Sequence, residues 1–282
     1  MVAAGLFVAG LMVGPCTCAA GLFPDQNLES AVAEALGKPS GTLQASDLQE
    51  LTSLSAANLQ ISNLTGLEFA ANLAGLFLSQ NNIQDLTPIQ SLTGLCSLNL
   101  EQNQLANLGP LKGLTNVSCL ILGGNPITNY WVVSNLTHLV SLSVRAGTFC
   151  KLSPLRGLGA LQSLVLWNNY ITDPSPLSGL SNLTRLDLRF NGISSVPSKA
   201  WPTNLVSLYL GGNSFSNAAS LRPLRMLTSL DLQDNRVSNL SPLKELTNLT
   251  YLALNREPAT NFYILTNLVS LAGVELCANG LT

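Results

Sequence analysis

LTRLDLRFNGI, residues 183–193, sets apolar side chains at Leu183, Leu186, Leu188 and Ile193, with Asn191 between the last two. Leu186 and Leu188 alternate with Asp187 and Arg189, the period-two pattern of a short strand with one buried face. The arrangement returns in LAGLFLSQNNI (73–83), LCSLNLEQNQL (95–105) and LTSLDLQDNRV (227–237), always displaced by a multiple of 22. From Asn81, steps of 22 reach Asn103, Asn125, Gly147, Asn169, Asn191, Asn213, Asn235, Glu257 and Asn279, and one step back reaches Leu59. No insertion or deletion interrupts that register. A strand that recurs this often in one direction needs a crossover each time and predicts a parallel sheet.

A fixed period of this length marks a leucine-rich repeat solenoid, in which each coil buries its apolar face against the next. The crossover reads I-x-x-L-x-P-L-x-x-L, as in 83–92, and Pro88, Pro110, Pro154, Pro176 and Pro242 share one slot. It is too short for a full α-helix, and proline suits a first helical turn, so short 3₁₀-like turns are expected on the convex side. The predicted fold class is therefore an α/β repeat solenoid: a leucine-rich repeat horseshoe with a parallel β-sheet on its concave face and an α-helical N-cap.

The Asn slot has a structural reading. An inward amide offers two donors and an acceptor to backbone groups that turn away from the strand between coils and must be paired. Asn81, Asn103, Asn125, Asn169, Asn191, Asn213, Asn235 and Asn279 form the expected ladder. Gly147 and Glu257 break it, so local loosening, or a water in place of the amide, is expected there.

Residues before Leu51 do not repeat. Leu28, Ala31, Val32, Ala35 and Leu36 have helical spacing, with Asp25 placed to cap the N-terminus and Gly37 to end the helix. A second short helix is expected from Ser46. Val2 to Val13 is apolar and too short to span a bilayer; it fits the apolar region of a signal peptide, with Cys18-Ala19-Ala20 as a small-residue cleavage site. The expected organisation is a leader at 1–20, a helical cap at 21–50, and about eleven repeats at 51–282. The last repeat stops in mid-coil, which reads as the edge of a longer parent protein.

Charged residues make up only 10% of the chain and the net charge is −2. With no basic stripe, nucleic acid is not an expected partner; with no polybasic segment, the array is not expected to bind membrane directly. Cys96 and Cys119 stand in adjacent coils one register step apart, which does not favour a disulfide. No metal or phosphate-binding motif and no nucleophile motif occurs, so neither catalysis nor a cofactor is expected. The single histidine, His138, reads as a surface or turn residue. The sequons at Asn63, Asn135, Asn182 and Asn248 read mostly as chance products of a repeat whose consensus turn is itself L-T-N-L.

A ligand would meet the residues that alternate with the leucines and face the concave side. Exposed Trp, Tyr and Arg are the types enriched in binding hot spots. They cluster at Arg145, Trp167, Arg185, Arg189, Phe190, Tyr209 and Tyr251, with Asp187 and Asp231 beside them. At about 4.8 Å per strand, the five coils from Arg145 to Asp231 span roughly 20 Å, the footprint of a protein epitope or an oligosaccharide. Alternatively, the aromatics only cover the sheet and support cross-strand packing. Trp131 and Trp201 lie where the crossover departs from its consensus and are expected to pack on the convex side.

The 22-residue motif, with a cap reading FPDQNLESAVAEALGKPSGTLQASDL and a first coil reading LTSLSAANLQISNLTGL, resembles the bacterial internalin-type leucine-rich repeat proteins. The resemblance covers about residues 23–282. It implies an exported protein, secreted or on the cell surface, that binds a host protein through its concave face; it carries no contact residues across. A protein or glycan recognition and adhesion module is the leading expectation. Two others stand beside it: an envelope spacer, and an intracellular regulatory subunit resembling the repeat regulator of a protein phosphatase.

Overall fold

The computed structural model describes residues 21–279; the expected leader and the last three residues lie outside that range. Eleven three-residue strands form one parallel sheet in strict sequence order: β1 (Ser53–Ser55), β2 (Gly75–Phe77), β3 (Ser97–Asn99), β4 (Cys119–Ile121), β5 (Ser141–Ser143), β6 (Ser163–Val165), β7 (Arg185–Asp187), β8 (Ser207–Tyr209), β9 (Ser229–Asp231), β10 (Tyr251–Ala253) and β11 (Gly273–Glu275). Every pairing is displaced by one repeat, so Leu76, Leu98, Leu120 and Leu142 stack in one column. The central residue of each strand from β1 to β10 is buried while most of its neighbours stay partly open. Each such leucine contributes about 2 kcal/mol of burial, which coils this short need to hold together.

The crossovers are 3₁₀ turns. Those at Thr87–Ile89, Gly109–Gly113, Ser153–Leu155, Ser175–Leu177 and Ser241–Glu245 each carry the consensus proline in their first two positions. The crossover between β7 and β8 carries no such turn. There the proline has moved to Pro197, and Trp201 fills the space instead, 3% exposed, with its indole N–H 3.4 Å from Ser220 Oγ. Trp131 departs from expectation: it is 61% exposed and does not pack into the convex side.

The first helix, α1 (Gln26–Leu36), covers the open end of the array. Asp25 caps it by accepting from the Asn27 and Leu28 N–H groups, and the other oxygen of the same carboxylate accepts from Ser62 and Asn63 in the first coil. One side chain thus starts the helix and ties it to the repeats. These bonds outweigh the effect of burial and hold the Asp25 carboxyl below its ordinary value.

The asparagine slot works as a three-way clip. Asn103 Oδ1 accepts from the Ile83 N–H at 3.0 Å, and its Nδ2 donates to Leu78 O at 2.9 Å and Leu100 O at 3.1 Å. Asn125, Asn169 and Asn235 repeat this pattern while buried. Asn81, also buried, accepts from both Leu59 and Ile61. Asn191 and Asn213 repeat the clip half-buried. Asn279, in the last coil, accepts from the Glu257 N–H, and its buried Nδ2 has no partner among the described residues.

Neither break in the ladder is loose. At Gly147 the vacated space holds the Tyr130 hydroxyl, 3.2 Å from where a Cβ would stand, and the Tyr130 ring lies 4.2 Å from that of Phe149. Tyr130 occupies a slot that is leucine at Leu86, Leu108 and Leu152, so a longer side chain from one coil fills the gap in the next. Gly147→Asn alone would crowd Asn169, Val144 and Tyr130, and we expect it to destabilise by about 1–3 kcal/mol. Adding Tyr130→Leu should recover most of that loss, so a double-mutant cycle read by urea unfolding will show coupling above about 1 kcal/mol. Strictly additive effects would contradict the space-filling account.

At Glu257 the carboxylate, 2% exposed, accepts from the backbone of Asn235 and from Val237 N–H at 2.6 Å. No water is needed for the acceptor half of the clip, but a carboxylate lacks the two donors. Burial pushes its pKa up to about 7, against which the two backbone bonds act only in part.

A second ladder, which the sequence reading missed, runs along the outer rim. Asn72, Asn116, Asn182, Asn204 and Asn248 each donate from Nδ2 to a carbonyl 23 residues earlier, at 2.6–2.9 Å. His138 belongs to this row: its Nδ1 lies 2.9 Å from Thr115 O. Since a carbonyl only accepts, that geometry calls for the Nδ1–H tautomer. The asparagines of the L-T-N-L turn at Asn182 and Asn248 are structural groups of the same row.

Candidate binding face on the concave sheet

The residue before the Asn slot leaves the strand in the left-handed conformation in every coil from Gln80 to Ala278. This turn aims the preceding residue, two before the slot, across the concave face. Glu101, Gly123, Arg145, Trp167, Arg189, Gly211 and Gln233 therefore form one row along the array. The two glycines leave gaps that their neighbours use. Arg145 reaches over Gly123 to hold Glu101 with Nε and Nη2 at 2.8–3.1 Å. A Cβ on Gly123 would stand 2.7 Å from Arg145 O and 3.0 Å from the Glu101 carboxylate, so only glycine admits that bridge.

Phe190 is itself left-handed at φ 53°. Its ring lies over Gly212, where a Cβ would meet it at 2.6 Å. On its other side it meets Trp167 edge to face with ring centroids 6.0 Å apart, and it remains 48% exposed. Gly212 is thus what lets Phe190 and Trp167 form an open apolar shelf, and nothing in a single coil's pattern announces that role.

Beside the shelf stand two arginines around one phenol. The Arg185 and Arg189 guanidinium carbons lie 4.8 and 5.3 Å from the centre of the Tyr209 ring, within cation–π range. Arg185 Nη1 donates to the Tyr209 hydroxyl at 3.1 Å. Burial alone would raise the Tyr209 phenol; hydrogen bonds from Ser229, Ser207 and Arg185 overcome it and hold the group below its ordinary value. Arg189 grips Asp187 in a two-bond fork at 2.6 and 3.0 Å.

These groups surround a shallow depression of about 570 Å3, floored by Ile121, Ser143 and Val165. Six of the nine residues expected to meet a ligand line it: Arg145, Trp167, Arg185, Asp187, Arg189 and Phe190. Tyr209 stands at its side through the two arginines. Asp231 and Tyr251 do not join it. Asp231 is 4% exposed and accepts from the Gln233 N–H; burial pushes it up to about 6. Tyr251 donates to Glu275 at 2.6 Å, and that bond, with some burial, raises its phenol to about 12. Asp187, although it lines the depression, is 2% exposed and serves Arg189. Asp187 and Asp231 are therefore built into the face, and the open groups are the aromatic shelf, Arg185 and Arg145, the last already paired with Glu101. Among the described residues, no group of three His, Cys, Asp or Glu side chains could hold a metal ion.

Family models described as leucine-rich repeats match residues 160–200 and 181–237. No curated protein matches the chain. Among solved structures, internalin C2 of Listeria monocytogenes is 31% identical over 90% of this chain and 94% of its own, with a TM-score of 0.57. The chain belongs to the internalin-type leucine-rich repeat proteins. The internalin InlF of the same species is 25% identical over 91% of this internalin-type chain and 96% of its own, with a TM-score of 0.53. The functional domain of InlJ, described as including a cysteine ladder, is 25% identical with a TM-score of 0.72, and the match spans 92% of this chain and 60% of that one. Here Cys96, Cys119, Cys150 and Cys277 are free and at least partly exposed.

Proposed function

We propose that this chain is an exported, non-enzymatic recognition module that binds a protein through the concave depression around Trp167, Phe190 and Arg185. The observation that carries the reading is the open shelf of Trp167 and Phe190, held by Gly212 and set beside a guanidinium already fixed over Tyr209. An exposed Phe190 packed on half-buried Trp167 and set next to arginine, with little side-chain entropy left to lose, is what protein interfaces use as an anchor. Family membership supports protein binding as the class of activity. It also supports export to the cell surface or medium and a role in adhesion. A glycan ligand is the second expectation from sequence; the depression favours it less, because Ser143 is the only neutral hydroxyl lining it.

The test is capture of proteins from a eukaryotic cell surface by the intact chain, compared with a Trp167→Ala, Phe190→Ala variant and a convex-side Trp131→Ala control. Arg189 is left in place, because removing it would strand buried Asp187 without its counter-charge. We expect the shelf variant to lose captured protein by roughly tenfold or more while melting within a few degrees of the parent. The control should capture like the parent. Equal capture by all three would remove the concave reading and point to another face, and no capture by any would favour the spacer role.

A further inference from the structure

The charges on this face leave one cation over. Arg145 is taken up by Glu101 and Arg189 by Asp187, and among the described residues Arg185 forms no ion pair. Arg185 is exposed, its guanidinium is fixed 4.8 Å over the Tyr209 ring, and it uses Nη1 on the Tyr209 hydroxyl. Its remaining N–H donors present a fork that matches a carboxylate, and a guanidinium already positioned loses little freedom on binding. The other wall of the depression is apolar, formed by Trp167 and Phe190.

We propose, building on the protein-binding reading above, that the depression reads an acidic peptide segment. An Asp or Glu carboxylate of the partner sits on Arg185, and a large apolar side chain lies on Trp167 and Phe190. Arg185 opens β7 and Trp167 lies two residues past β6, so the two contacts are four positions apart along the strand direction. That is about 13 Å, which an extended ligand covers with the acidic and apolar residues three to four apart. An acidic sugar offers the same carboxylate to Arg185 but no large apolar side chain to Trp167 and Phe190, and the test below separates the two.

The experiment is selection of a displayed library of random linear peptides on the full chain, followed by affinity measurement of the leading peptide against Arg185→Gln, Arg185→Lys and Trp167→Ala. A sialylated and uronate-bearing oligosaccharide array is run in parallel. We expect enriched peptides to carry Asp or Glu three to four residues from an aromatic or large aliphatic residue. Binding should weaken by roughly tenfold or more in Arg185→Gln, less in Arg185→Lys, and in Trp167→Ala as well. The parent affinity should fall as salt rises. The proposal is overturned if enriched peptides show no acidic bias, if Arg185→Gln binds them unchanged, if no peptide is enriched, or if the acidic oligosaccharides bind and the peptides do not. Cell-surface capture that depends on Trp167 and Phe190 but is indifferent to Arg185→Gln sinks this inference and leaves the protein-binding reading standing.

Discussion

Asn169→Ala lowers the stability of the folded chain by about 3–4 kcal/mol, the largest effect expected of any single ladder substitution. The amide is 6% exposed and does three jobs: Oδ1 accepts from Phe149 N–H at 2.9 Å, and Nδ2 donates to Val144 O at 2.7 Å and Leu166 O at 3.0 Å. Alanine leaves the Phe149 N–H and Val144 O buried and unpaired, each costing about 1–3 kcal/mol before the coils relax, while Leu166 O keeps its bond from Asn191 Nδ2. The preceding coil lacks its own amide at Gly147, so no clip on that side takes over Val144 O. Asn191→Ala is the internal comparison. Asn191 makes the same bonds but is half-buried, so water replaces part of them and the loss should be about 1–2 kcal/mol. Urea unfolding at pH 7 checks the order. An Asn169→Ala loss no larger than that of Asn191→Ala would show that burial of the clip does not set its worth.

Glu257→Gln stabilises the chain at pH 8 by about 2–3 kcal/mol and changes it little at pH 5. In the unfolded chain the carboxyl titrates near 4.5, and in the fold near 7. Between those values the folded state holds the extra proton, so stability falls as pH rises, starting near 4.5 and levelling off above about 7. A gap of that size corresponds to about 3 kcal/mol. Asp231 acts with the same sign over a lower window, from its usual 3.8 to about 6. The two N–H groups, of Asn235 and Val237, meet different carboxylate oxygens, so the single glutamine oxygen must take both, as Asn81 Oδ1 takes the Leu59 and Ile61 N–H groups; its amide then supplies the donors that the carboxylate lacks. By the 22-residue period these face Leu232 O and Leu254 O, the counterparts of the Leu210 and Leu232 carbonyls that Asn235 reaches. Thermal melts from pH 5 to pH 8 on both proteins check this. Parallel curves would mean that Glu257 does not titrate in that window, and the clip account at this slot would fail.

The solenoid was legible because its cause is local and repeated: Leu186 and Leu188 define a strand, and Asn191 defines the turn after it. What single-coil periodicity could not show were compensations between coils. Tyr130 is an unremarkable crossover residue until its hydroxyl is found filling the gap at Gly147, one coil on. Glu257 reads as a broken slot, yet a carboxylate can do half of an amide's work. Trp131 and Trp201 look alike in sequence, and only the missing turn after β7 makes room for one of them inside. On the concave face, the row assignment placed Arg145, Trp167 and Arg189 side by side. It did not reveal which charges were already spent. Asp187, Asp231 and Tyr251 look like ligand groups in a one-letter string, but burial and pairing turn them into parts of the wall. His138 reads as a surface turn residue and is one, but the bonds that it and the rim asparagines make went unread because their acceptor is a backbone carbonyl 23 residues back, invisible to side-chain patterns.

The most direct measurement is site-specific photo-crosslinking. A photoreactive amino acid replaces Ser143, on the floor of the concave depression, or Trp131, exposed on the opposite side, and each full chain is illuminated with intact eukaryotic cells. Protein adducts from position 143, absent from position 131 and suppressed by Trp167→Ala, are the predicted result. Adducts from position 131 alone, or from both positions equally, would contradict the claim that this face recognises the partner.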